Sequence, residues 1–99
     1  MTNGELKDFL ILRQLEDPIS RTDREPARDR SIEALEVVRD DGHAIDWVQS
    51  QIMENEDGEI VGTLCHYRAD SEDALHEHAE CAGVPVTQVY RRGNPMKGP

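Results

Sequence analysis

The stretch Ile45-Asp46-Trp47-Val48-Gln49-Ser50-Gln51-Ile52-Met53-Glu54, followed by Asn55-Glu56-Asp57-Gly58 and then Ile60–Arg68, settles the architecture. Its first part alternates. Ile45, Trp47, Gln49, Gln51 and Met53 fall on one face of an extended strand, and Asp46, Val48, Ser50 and Ile52 on the other. Asn55–Gly58 reads as a hairpin turn, with glycine where a positive φ is needed. Ile60–Arg68 is the returning strand. A helix and a strand flank this hairpin on each side.

Upstream, Phe9-Leu10-Ile11-Leu12 is a short continuous apolar run, the pattern of a central strand buried on both faces. Glu16–Arg30 is dominated by charge, and Asp17-Pro18 predicts a turn. Thr22 or Asp23 can cap a helix that tolerates Pro26 only in its first turn. Ala27, Ser31, Ala34, Leu35 and Val38 form its apolar stripe, and Asp40-Asp41-Gly42 stops it, with Gly42 in the left-handed conformation.

Downstream, Asp70 or Ser71 caps a second helix, with Glu72 and Asp73 well placed in its first turn. Ala74, Leu75, His78, Cys81 and Ala82 share one face at helical spacing. Gly83 ends the helix, Pro85 keeps it ended, and Val86–Arg91 is the last strand. Met1–Lys7 is a lead-in and Gly93–Pro99 a polar tail, so one domain fills residues 1–99, its core spanning about 8–92.

The order β-α-β-β-α-β predicts an α+β fold, the ferredoxin-like plait. Four antiparallel strands carry two helices on one face. The other face is bare, and Trp47 and Met53 lie on it if Val48 and Ile52 face the helices. A second copy covers such a face, which predicts a homodimer in the form of a dimeric α+β barrel.

The 21 acids against 11 bases, a net charge of −10, argue against nucleic acid and anionic membrane as partners. No apolar run is long enough to span a membrane, and none follows a basic start. The two cysteines, Cys65 and Cys81, form no CxxC and have apolar neighbours, as reduced cytoplasmic thiols do. A P-loop, GxGxxG, GxSxG and HExxH are all absent, which leaves no support for an organic cofactor or a nucleophile elbow.

Four side chains remain for chemistry. His78 on the apolar stripe is either a ligand or acid/base, or a core imidazole bonded to a backbone carbonyl or to Ser31. Cys65 and His66 are adjacent, so a strand sends them to opposite faces. If Cys65 faces the helices it approaches His78 and Cys81, as a metal-binding cluster or as small thiols filling the core. If His66 faces the open side it joins Gln49, Gln51 and Trp47 at the dimer interface, as a metal or ligand contact lining a cavity there or as a hydrogen-bonding group across the twofold.

Several motifs resemble one family. Ile45-Asp46-Trp47-Val48-Gln49-Ser50 is similar to its second strand, where a Trp is followed three residues later by Ser. Leu64-Cys65-His66-Tyr67 is similar to its third. Ala69-Asp70-Ser71-Glu72-Asp73-Ala74-Leu75 and His78-Ala79-Glu80-Cys81-Ala82-Gly83-Val84-Pro85 resemble its second helix and HAxxAGxP ending. The family comprises short, mostly uncharacterised bacterial and archaeal proteins described as nickel-responsive or nickel-binding. The resemblance runs over about residues 8–92 and implies the plait fold together with nickel or another divalent transition metal. Two features depart from the pattern. No histidine precedes His43, the late first strand offering Arg13 and Gln14 instead, and Arg91 stands where an acid is frequent. The expected function is binding of a transition metal or small ligand by a cytoplasmic homodimer. The alternatives are a cofactor-free barrel enzyme acting on a small organic molecule, and an accessory dimer with no site.

Overall fold

The computed structural model describes residues 5–99. The part of the lead-in before residue 5 lies outside them. Strand β1 is Lys7–Ile19, helix α1 Arg24–Asp40, β2 Ile45–Glu54, β3 Ile60–Ala69, helix α2 Glu72–Ala82 and β4 Gln88–Arg91. One 3-10 turn, Arg21–Asp23, leads into α1. The strands form one antiparallel sheet in the order β2-β3-β1-β4. This is the plait read from the hairpin and its flanks: β3 sits between β1 and β2, and β1 between β3 and β4.

Both helices lie on one face of the sheet. Phe9, Ile11, Ile45, Cys65, Tyr67 and Ala69 from the strands bury against Leu35 and Val38 of α1 and Ala74 and Leu75 of α2. Helix α2 is delimited by local chemistry. The Ser71 hydroxyl accepts from the Ala74 amide. Gly83 adopts φ 72°, and the amides of Gly83 and Val84 return to the carbonyls of Glu80 and Ala79, a Schellman stop.

Four sequence readings are corrected. The expected turn at Asp17-Pro18 is strand: β1 runs on to Ile19. No β3 partner opposes it between Gln14 and Ile19, so the missing amide of Pro18 breaks no ladder bond there. Ser20, not Thr22 or Asp23, supplies the capping oxygen before α1, accepting from the Thr22 amide; Asp23 makes no side-chain cap bond.

The third correction concerns Trp47. Trp47 pairs with Tyr67 but Gln49 pairs with His66, so Val48 is an extra residue that bulges outward, 49% exposed. The bulge flips the phase of the strand. Trp47 turns to the helix face, Ser50 and Ile52 stay there, and Gln49, Gln51 and Met53 go to the open face. The fourth is Cys81. It is exposed, and Ala79 takes the place predicted for it on the buried stripe of α2.

Candidate functional site

Helix α2 carries His78 into the contact between the two helices. The ring is 1% exposed. Its Nε2 bonds the backbone carbonyl oxygen of Ser31 at 2.9 Å. A carbonyl only accepts, so Nε2 holds the proton and Nδ1 holds a lone pair, which is buried without a partner. The ring packs 5.3 Å from that of Tyr67. Burial pulls the imidazole pKa down from its ordinary value, against the raising effect of the Ser31 bond. His78 is a neutral core ring.

Cys65 also faces the helices, but its polar contacts lie within the sheet. Trp47 Nε1 donates to Ser50 Oγ at 2.9 Å, Ser50 Oγ donates to Cys65 Sγ at 2.8 Å, and Cys65 Sγ donates to Thr63 Oγ1 at 3.3 Å. This chain explains the Trp-x-x-Ser spacing: the Val48 bulge puts Ser50 on the same face as Trp47. The burial of Cys65 and the exposure of Cys81 keep the expected Cys65–His78–Cys81 cluster from assembling.

His66 lies on the open face, opposite Leu10 and Gln49 in the two flanking strands. Its Nε2 bonds Asp8 Oδ1 at 2.8 Å, and Arg68 Nε lies 3.6 Å from the same oxygen. The His66 bond leads in holding the Asp8 carboxyl below the usual carboxylate range, with Arg68 adding to it. Asp8 was not foreseen. Only the β1–β3 register, which sets Asp8 opposite Arg68 and two residues from His66's partner Leu10, on the same face, brings it to the imidazole.

His43, at the end of the α1–β2 loop, lies 3.2 Å from Asp70 and 3.5 Å from Glu77. Asp70 is structural, since its other oxygen accepts the Ala44 amide at 2.9 Å. Among the described residues, no group of three or more His, Cys, Asp or Glu side chains in one protomer could hold a metal ion.

A cavity of about 370 Å³ opens between the first turns of α1 and the helix face of the sheet. Trp47, Tyr67, Ile52 and Ile60 are among its walls. The rings of Trp47 and Tyr67 lie nearly parallel, with centroids 6.3 Å apart and planes 15° from parallel. Arg13 enters from β1, only 5% exposed. Its Nη1 donates to the Pro85 carbonyl oxygen at 2.7 Å, and its Nη2 is buried without a partner. Burial pushes the Tyr67 phenol up to about 12, with the Arg13 charge opposing it, so the hydroxyl stays protonated.

The model of a family described as nickel responsive protein SCO4226-like matches residues 9–91. No curated protein matches the sequence. Among solved structures, the crystal structure of SCO4226 from Streptomyces coelicolor A3(2) is similar, with a TM-score of 0.67 at 13% identity. The match covers 90% of this chain and 99% of that one. At that identity the likeness speaks for the fold, the same plait that the strand order defines.

Proposed function

The chain belongs to the SCO4226-like family of nickel-responsive proteins, and from that premise we propose that it is a cytoplasmic homodimeric binding protein that takes up a divalent metal of the nickel type between two copies. The donors are the His66 imidazoles, each oriented by Asp8. The observation that carries this reading is the His66–Asp8 bond on the open face of the sheet.

Three features support it. The two central strands, β3 and β1, supply His66 and Asp8, so the pair lies on the inner strands of the face that a second copy would cover. Leu64 and Tyr90 expose 36% and 51% of their surface on that face, apolar area that a partner sheet would bury. The donor chemistry also fits. A carboxylate that accepts the Nε2 proton leaves the other ring nitrogen with its lone pair, the arrangement in which histidines usually ligate metals. Nickel favours such imidazole nitrogen. One protomer offers one such ring on this face, so a site with two imidazoles requires two protomers. His78 is a poorer donor, because its lone-pair nitrogen Nδ1 is sealed in the core and no second donor accompanies it.

When bound, the metal would draw the two copies together and give the protein its response to nickel. The chain's own part is to hold the His66 tautomer through Asp8 and to close the interface around it. Calorimetric titration of nickel into protein purified without a histidine tag tests this. The expected result is saturable uptake that His66→Ala weakens at least about tenfold and His78→Ala leaves unchanged. Absence of uptake by the unmodified protein, or uptake indifferent to His66→Ala, overturns the reading.

A further inference from the structure

The cavity under α1 has a chemistry that the open face does not share. The chain carries 21 acids, yet none lines this cavity among the described residues. Four of its nine arginines do: Arg13, Arg24, Arg28 and Arg30. On a protein of net charge −10, this places a basic pocket in an acidic surround.

Arg13 is the decisive residue. It pairs with no carboxylate among the described residues, whereas Arg21, Arg39 and Arg68 on the surface each do. A buried guanidinium with an unbonded Nη2 is costly unless something satisfies it. The Tyr67 ring face, with its centroid 5.8 Å from Arg13 Cζ, supplies part of that. Nη2, buried in the cavity wall, is the donor that remains. Around it the walls are apolar and aromatic: Trp47, Tyr67, Ile52 and Ile60. The volume of about 370 Å³ falls in the range of small-molecule sites, roughly 300–1,000 Å³.

We propose that this cavity binds a small organic monocarboxylate with a flat or apolar body. The carboxylate accepts from Arg13 Nη2, and the body lies among Trp47, Ile52 and Ile60. Exposed Arg24 and Arg28 on α1 draw the anion to the mouth. A fully hydrophilic anion would leave the aromatic wall unused. A neutral apolar molecule would leave the Arg13 donor unsatisfied. The site stands apart from the open-face metal reading, since the two occupy opposite faces of the sheet and share no residue.

The chain has a single tryptophan, Trp47, and it lines the cavity, so its emission reports occupancy directly. The probes are benzoate and cyclohexanecarboxylate, against benzyl alcohol and cyclohexylmethanol as neutral counterparts of similar shape. The expected result is saturable change in emission with each acid, at least about tenfold tighter than with its alcohol. Arg13→Met keeps the stem and removes the charge; it is expected to erase that preference. Ala27→Phe fills the cavity from α1 with Arg13 intact, and is expected to abolish binding even if Arg13→Met fails to fold. Neither His66→Ala nor added nickel is expected to change the titration, which separates this site from the metal reading. No saturation with either acid, equal affinity for acid and alcohol, or full binding by Ala27→Phe overturns the proposal.

Discussion

His78 Nε2 meets the backbone carbonyl oxygen of Ser31 at 2.9 Å, which ties α2 to α1 through one buried imidazole. The contact explains how a titratable ring lies in the apolar stripe: the second lone pair of a mid-helix carbonyl of α1 accepts the buried Nε2–H. It also makes the helix pair sensitive to acid.

Because burial lowers the folded-state pKa of His78 below 6.5, the unfolded chain binds its proton first as pH falls. The stabilisation is complete above the unfolded value and is lost as pH drops through the folded one. Thermal unfolding between about pH 7.5 and about pH 5 is expected to show a falling midpoint in the unmodified protein. His78→Gln, less stable overall, is expected to show a shallower slope over that window. Equal slopes would remove His78 from the acid response.

Removing the hydroxyl between Trp47 and Cys65 is expected to loosen the helix face of the sheet. Ser50→Ala leaves Trp47 Nε1 without its acceptor and Cys65 Sγ without its donor. The expected loss is about 1–2 kcal/mol by denaturant unfolding, with a shift in Trp47 emission. Unchanged emission would mean that the indole is held by packing alone.

The two cysteines are expected to react differently. Cys81 is exposed and Cys65 is buried between the sheet and the helices. Alkylation under native conditions, read by intact mass, is expected to add one label, and a second only in denaturant. Two labels on the native protein would place Cys65 in an open environment.

At Gly62 the neighbouring backbone leaves no room for a side chain. An added Cβ would run into the Arg13 carbonyl oxygen and touch Met53 Cε at 3.0 Å. Gly62→Ala is expected to cost about 1–3 kcal/mol in unfolding free energy, with the β1–β3 register disturbed beside Arg13. A neutral effect would mean that β1 and β3 are free to separate there.

The fold was legible where local chemistry is unambiguous. Asn55–Gly58 set the hairpin, Ser71 and Gly83 bounded α2, and the change from twofold to helical period separated strands from helices. The misses have physical causes. Val48 carries no glycine or proline to mark a bulge, yet it reverses the facing of Trp47, and so hid the Trp47–Ser50–Cys65 chain. Cys81 and Ala79 lie on opposite margins of the α2 stripe, and periodicity does not say which margin meets a neighbour. Pro18 read as a stop because the interruption of the β3 ladder around it comes from tertiary pairing. Arg13 was legible only as a residue of the late first strand, because nothing local signals that Pro85 closes over it. His66 was legible as a residue on one face of β3, but its partner Asp8, 58 residues away, was not.

Native mass spectrometry of the untagged protein, with and without nickel, tests the metal reading most directly. It counts copies and ions in one spectrum. The account predicts a dimer that carries nickel, and a His66→Ala protein from which the nickel is gone. A monomer that stays free of metal at every nickel concentration would contradict it.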